Sequence, residues 1–366
     1  MRLGVAAAIV DGVMVPGDVI LKDGLVARTG VSPAGREGLA VPGFVDLQVN
    51  GFAGIDFLSA DADGYRVAGQ ALAATGVTAY QPTLITSPLE AYWKPLETVA
   101  TLSDELGPRV LGLHLEGPFI SPLWPGAHNP EHVIAPDLEV ADLLVAAAPV
   151  TYMTVAPEEA GGLELIAHLV AKGVVVACGH CDAGAEVAGL AFDAGARALT
   201  HIYNAQRRWE PRDPGIAGVA LTRPDVVVQA IVDHVHLAPE TAYATFLATR
   251  GRFCLVTDAI AAAGLDDGVY ALGDRTVRVE GGQARLEDGT LAGSVLEMDA
   301  AVRNLVELGA SIKDAVEASS GVPARLLSRS DLGSLAPGRA ADVVVLDDGL
   351  RVRRTLVGGV EIFRAG

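Results

Sequence analysis

The sequence predicts an α/β protein: a (β/α)8 TIM-like barrel, accompanied by a small β-sandwich domain formed from both chain ends. Three observations carry this expectation. Short apolar runs rich in Val, Ile and Leu recur eight times between residues 43 and 258, separated by Ala-rich stretches. Hydrophobic residues make up 50% of the 366-residue chain but aromatics only 5%. Compact branched side chains must therefore fill a large core, which suits parallel strands buried on both faces. Finally, several residues capable of acid, base or ligand chemistry, Glu116, His180, His201 and Asp258 among them, stand at or near the C-terminal ends of these runs.

The runs are Phe44–Val49, Thr78–Leu84, Val110–Leu115, Val150–Val155, Val174–Ala177, Ala198–Ile202, Val226–Val232 and Phe253–Thr257. Between them, stretches such as Tyr65–Thr75 and Ala185–Ala194 carry helical periodicity and stop near Gly76 and Gly195, as helix C-termini often do. Strand and helix alternating eightfold is the pattern of a parallel barrel. Residues 43–334 are assigned to it. Residues 1–42 and 335–366 hold short alternating runs with Gly turns, such as DVILKDGLVAR and RRTLVGGVEIFRAG. Neither end makes a stable sheet alone, so the two should pair beside the barrel. Residues 265–291 read as a further β excursion after the eighth run.

The net charge of −18 weighs against a nucleic-acid partner, since a nucleic-acid binder normally shows a basic face. An anionic substrate needs local cations to hold it against that field. The opening MRLGVAAAIVDGVMVPGDVI has no small-residue cleavage site after a proper apolar region, so no signal peptide is expected. The apolar stretch Leu143–Ala156 is too short to span a bilayer and Pro149 interrupts it. Three cysteines do not make a disulfide framework. The expectation is a cytoplasmic protein with no membrane partner.

Gln48 lies late in the first run and Asn50 follows it; Glu116 follows the third and His180 the fifth, and His201 lies late in the sixth. His234 and His236 follow the seventh, and Asp258 the eighth. In a barrel these are C-terminal strand ends, where active sites are built. Glu116, His180 and His201 make a plausible one-metal site. A carboxylate and two imidazoles suit zinc and leave a position open for water, whose pKa such a site lowers to about 7. Taken singly, each could be a surface or capping residue; their shared position makes the case. Asp258 reads either as a general base for that water or as an N-cap for the following AIAAAG. Arg207, Arg208 and Arg212 cluster after the sixth run. Arginine suits phosphate because its planar fork donates two hydrogen bonds at once, but a solvated loop would look the same. Cys178-Gly179-His180-Cys181 has the redox spacing of disulfide isomerases. It lacks a βαβ setting of its own, and the preceding residue is Ala177 rather than Trp.

The segments PGFVDLQVNGFAGIDF, GLHLEGPFISPLWPGAHNP, ACGHCDA, ALTHIYNAQ, PRDPGIAG, LVTDAIAAAG and LAGSVLEMD resemble the N-acetylglucosamine-6-phosphate deacetylases of the amidohydrolase superfamily. The ending LGSLAPGRAADVVVLD is typical of the superfamily at large. The resemblance implies one divalent metal ion per subunit on Glu116, His180 and His201, with zinc expected and iron, cobalt, manganese or cadmium as alternatives. It implies Asp258 as acid/base, and His128 as a group that polarises the acetyl carbonyl. Substrate contacts fall on Ala127, His128, Asn204, Ala205, Arg212, His236 and the stretch Leu291, Ala292 and Gly293. It implies a phosphorylated N-acetyl amino sugar as substrate, and a homodimer in which Arg212 grips the phosphate in the neighbouring site. One departure from the superfamily is Gln48-Val49-Asn50 where His-x-His is usual. Amides are poor zinc ligands, so a single metal is expected. His236 matches the family's binding histidine, and His234 reads as a loop residue.

Overall fold

The computed structural model describes residues 1–102 and 107–366. All eight predicted runs form barrel strands: Phe44–Val49, Val77–Ile85, Leu113–Glu116, Val150–Val155, Val175–Cys178, Ala198–Leu199, Val227–Ala230 and Phe253–Leu255. Each pairs in parallel with the next, from the first through to the eighth. Helices fill the intervals, from Ala62–Ala74 after the first strand to Met298–Glu307 after the eighth. The first of these begins where Asp61 accepts a hydrogen bond from the Gly64 amide at 2.9 Å, the N-cap arrangement that aspartate favours. It buries Tyr65, Ala68 and Leu72 against the barrel.

The seam between the eighth and first strands closes differently from the others. A single parallel bridge joins Val49 to Ala259, and the Asp258 amide donates to the Gln48 carbonyl at 2.9 Å. Below it, the Asp46 side chain stands in for the ladder. Asp46 accepts from the Thr257 hydroxyl at 2.6 Å and the Thr257 amide at 3.2 Å. Burial pushes the Asp46 carboxyl up to about 7 despite these donors. The seam thus fixes the backbone of Gln48 and Asp258 together.

The chain ends meet as expected. Ala7–Val10, Val13–Pro16 and Leu39–Pro42 join Val343–Leu346, Val352–Val357 and Val360–Arg364 in one six-stranded sheet. A hairpin of Asp18–Lys22 and Leu25–Val31 packs on it around Val5, Val19, Val26, Val343 and Leu356. The excursion at 265–291 is a three-stranded antiparallel sheet, Gly268–Leu272, Arg275–Glu280 and Gln283–Arg285. Its apolar face packs on Ile85, Ala127 and Ile260, so it roofs one side of the barrel mouth. Among the described residues, no helix is long and apolar enough to cross a membrane.

Candidate active site

Glu116 ends the third strand and is 2% exposed; His180 and His201, just past the fifth and sixth, are each 4% exposed. His201 Nε2 lies 2.9 Å and His180 Nε2 3.2 Å from Glu116 Oε1, and the two imidazole nitrogens are 3.1 Å apart. The His180 Nδ1–H donates to the Trp124 carbonyl at 3.0 Å. That fixes the tautomer and leaves the Nε2 lone pair facing Glu116. Two imidazole nitrogens and a carboxylate oxygen thus crowd one point with too few protons to satisfy them all. A divalent cation resolves the conflict, so the donor set fits a metal. This is the one group of its kind among the described residues. Burial favours a neutral Glu116, but the imidazoles of His128, His180 and His201 around it hold it well below the usual carboxylate range. Burial and the nearby His128 push His180 down to about 4. For His201, burial also opposes charge, but the Glu116 hydrogen bond and charge raise it.

His180, His201 and Asp258 all have positive φ, at 48°, 25° and 51°. Such backbone is uncommon outside glycine and clusters at functional sites. Two glycines are needed for close approach. A Cβ on Gly117 would meet the Thr86 hydroxyl at 2.1 Å, and one on Gly126 would come within 3.1 Å of the His180 ring.

Asp258 faces this cluster. Its Oδ1 accepts from Asn50 Nδ2 at 2.7 Å and Gln48 Nε2 at 3.2 Å, while the same Gln48 nitrogen lies 2.7 Å from Glu116 Oε1. The amides at the His-x-His position therefore act as donors to carboxylates. Burial first, and the Glu116 charge second, push Asp258 up to about 6. The segment after Asp258 forms turns and no helix, so the N-cap alternative is corrected: Asp258 caps nothing. His128 Nε2 approaches Glu116 Oε2 at 3.4 Å. Its Nδ1 lies 2.9 Å from the Thr86 hydroxyl and 3.4 Å from the Thr86 amide. With Nδ1 accepting there, Nε2 carries the proton and can donate to an oxygen at the cluster. His236 is held the other way round: its Nδ1–H donates to Asp233 Oδ2 at 2.7 Å.

These residues line a cavity of about 290 Å³. Ala127, Asn204, Ala205, His236, Leu291 and Gly293 also line it. Two of the expected contacts lie elsewhere. Ala292 is fully buried in the apolar cluster beneath the three-stranded sheet. Arg212 is exposed and does not line this chain's cavity. His234 is exposed on its loop. Cys178 and Cys181 are buried and free, and burial raises both thiols well above their ordinary range. Protonated, enclosed thiols do not suit a redox motif.

Several positioning groups had no local signal in the sequence: Thr86 behind His128, Trp124 behind His180, and His114 in the barrel floor. His114 is buried, bonded to Leu47 O at 3.0 Å and Thr154 Oγ1 at 2.8 Å. Burial pushes it down to about 4, so it is neutral. Only Asp233, three residues before His236, stood at a spacing that could have been read.

A (β/α)8 barrel with this cluster at its C-terminal strand ends defines a class: amide-cleaving hydrolases of the metal-dependent kind. A sequence profile described as the amidohydrolase family matches residues 39–362, and the chain belongs to the amidohydrolase family. Within it, the chain is 39% identical over 329 residues to an N-acetylgalactosamine-6-phosphate deacetylase of Escherichia coli O157:H7, covering 88% of this chain and 87% of that protein. It is 38% identical over 344 residues to the N-acetylglucosamine-6-phosphate deacetylase of Homo sapiens, covering 89% and 84%. Its fold is similar to that of a mutant Mycobacterium smegmatis N-acetyl-D-glucosamine-6-phosphate deacetylase in complex with N-acetyl-D-glucosamine-6-phosphate. The TM-score there is 0.93, with 33% identity and 99% of each chain covered. The Thermotoga maritima N-acetylglucosamine-6-phosphate deacetylase also gives a TM-score of 0.93, with 32% identity and 100% coverage of both chains.

Proposed function

We propose that this protein hydrolyses N-acetylglucosamine 6-phosphate to glucosamine 6-phosphate and acetate, serving amino-sugar catabolism and cell-wall sugar recycling. The observation that supports it most is the convergence of Glu116, His180, His201, Asp258 and His128 in one buried cavity, in a chain aligned almost end to end with enzymes of that activity. A divalent ion, with zinc the best match to one carboxylate and two imidazoles, supplies Lewis-acid polarisation and an acidified water when bound. Iron, cobalt, manganese and cadmium are alternatives. Asp258 takes the proton from the attacking water. The His128 Nε2–H donates to the oxyanion that develops on the acetyl carbonyl. Asp258 then returns its proton to the sugar nitrogen as the C–N bond breaks, leaving acetate and a free amine. Cytoplasm is the compartment proposed, since a charged sugar phosphate does not cross a bilayer unaided.

The test is acetate release from N-acetylglucosamine 6-phosphate beside its galacto epimer and the unphosphorylated sugar. The galacto epimer is the second reading, favoured by the 39% identity to a deacetylase of that name. The gluco epimer should give the highest kcat/KM, and a higher value for galacto would replace the first reading with the second. Release from neither phosphorylated sugar would refute both.

We also propose a homodimer in which Arg212 reaches the partner's cavity. Its exposure, away from its own cavity, accords with that. A hydrogen bond to a charged group is worth about 1.5–3 kcal/mol, or roughly 10–150-fold in binding. Arg212→Ala should raise KM for the phosphorylated sugar by about that factor, and mixing it with Glu116→Ala chains should restore one good site per hybrid. Equal losses on phosphorylated and unphosphorylated sugars would assign Arg212 to the fold or the dimer.

A further inference from the structure

The three arginines after the sixth strand lie close together in sequence, but the fold gives them separate surroundings. Arg207 is fully engaged. Its Nε and Nη2 donate to Asp213 Oδ2 at 2.9 and 2.6 Å, and its Nη1 donates to Asp182 Oδ2 at 3.1 Å. Asp182 Oδ1 in turn accepts from the Trp124 indole at 2.8 Å, and Trp124 holds His180 through its carbonyl. Arg207 therefore clasps the loop to the ligand side of the site. Its charge is matched by two carboxylates, leaving it a poor anion ligand.

Arg208 points elsewhere. It lines the catalytic cavity beside Ala205, Gln206 and His236. It also lines an adjoining groove of about 520 Å³, with Tyr203 and Trp209, whose rings are parallel with centroids 6.3 Å apart. Its guanidinium makes no ion pair or hydrogen bond with any described residue. In a protein of net charge −18, an unmatched cation at the cavity rim is the feature that an anionic substrate requires.

We propose that Arg208 is an anion-binding group supplied by the same chain as Glu116, His180, His201 and Asp258, and that it grips the substrate's phosphate from the cavity rim. This rests on the reading of a phosphorylated sugar as substrate. It adds a ligand in cis to the Arg212 expected in trans.

The experiment compares kcat/KM for N-acetylglucosamine 6-phosphate and N-acetylglucosamine in wild type, Arg208→Ala and Arg208→Lys. Because Arg208 is open to solvent, the gain sits near the lower end for charged hydrogen bonds. The phosphorylated-to-unphosphorylated ratio should fall by roughly tenfold in Arg208→Ala, mainly through KM. Arg208→Lys should recover part of it, since lysine offers charge without the fork. Inorganic phosphate, as an inhibitor competitive with the sugar, should weaken in parallel. Mixing Arg208→Ala with Glu116→Ala chains should restore nothing, because the two residues serve one site. An unchanged ratio, or recovery in that mixture, overturns the proposal. Wild-type protein that releases no acetate from either phosphorylated sugar refutes the functional reading instead. In that case, binding of inorganic phosphate to wild type that is undiminished in Arg208→Ala also overturns the role given to Arg208.

Discussion

Asp258→Asn should keep its metal and lose turnover by roughly 10²–10⁴-fold, the usual contribution of a positioned general base. Asparagine preserves the oxygen that Asn50 and Gln48 hold at 2.7 and 3.2 Å, so the side chain should stay in place. It removes the atom that takes a proton. Metal should be retained because Asp258 stands outside the Glu116, His180 and His201 cluster. The measurements are kcat and metal content on the same preparation. Turnover within about threefold of wild type would remove Asp258 from the mechanism. The pH profile gives a second reading. The base acts as a carboxylate, so activity must fall as pH drops through its pKa. That lies at about 6 with the site as it stands, and a neighbouring cation draws it lower. The acid limb should therefore lie at or below pH 6, with a plateau at neutral pH.

Stripping the ion should abolish turnover altogether and lower the unfolding midpoint. Without a cation, a buried carboxylate and two imidazole nitrogens 3.1 Å apart must share too few protons. An ion bound only by the folded state adds about 4 kcal/mol of stability at a thousand times its Kd. Dialysis against a chelator, followed by a thermal melt and an assay before and after divalent ions are restored, reads both effects. Full activity in metal-free protein would end the metal-dependent mechanism. Elemental analysis of the restored protein should find about one ion per chain. The Gln48 and Asn50 nitrogens are already committed to Glu116 and Asp258, which leaves those amides poorly placed to ligate a second ion. Two firmly held ions, one on Gln48 or Asn50, would show that these amides turn over to ligate.

The barrel was legible because its signals are local. An apolar run followed by an amphipathic stretch states strand and helix without reference to the rest of the chain. A strand-end position then implies a place at the mouth. Glu116, His180, His201 and Asp258 could be named on that logic before any contact was known. The one-metal expectation had a similar basis, since an amide at Gln48 or Asn50 is a weak ligand wherever it sits.

What the sequence left open depended on groups distant along the chain. Asp258 as cap or base turned on whether AIAAAG coiled into a helix; the seam bonds from the Asp258 amide to the Gln48 carbonyl and from the Asn50 amide to the Ala259 carbonyl hold it in turns instead. The tautomers of His128 and His180 depend on Thr86 and Trp124, which no spacing connects to them. Ala292 and Gly293 are neighbours in sequence, yet one packs under a sheet and the other borders the cavity. Arg207 and Arg208 are also adjacent, and only their surroundings distinguish a clasp from an unpaired cation. Composition and periodicity by themselves determined the strands, their order and the face that carries the chemistry, because backbone propensity and burial act over a few residues. Which donor meets which acceptor was decided by the tertiary structure, because hydrogen bonds and charge pairing act across about 3 Å of space, however far apart the partners lie along the chain.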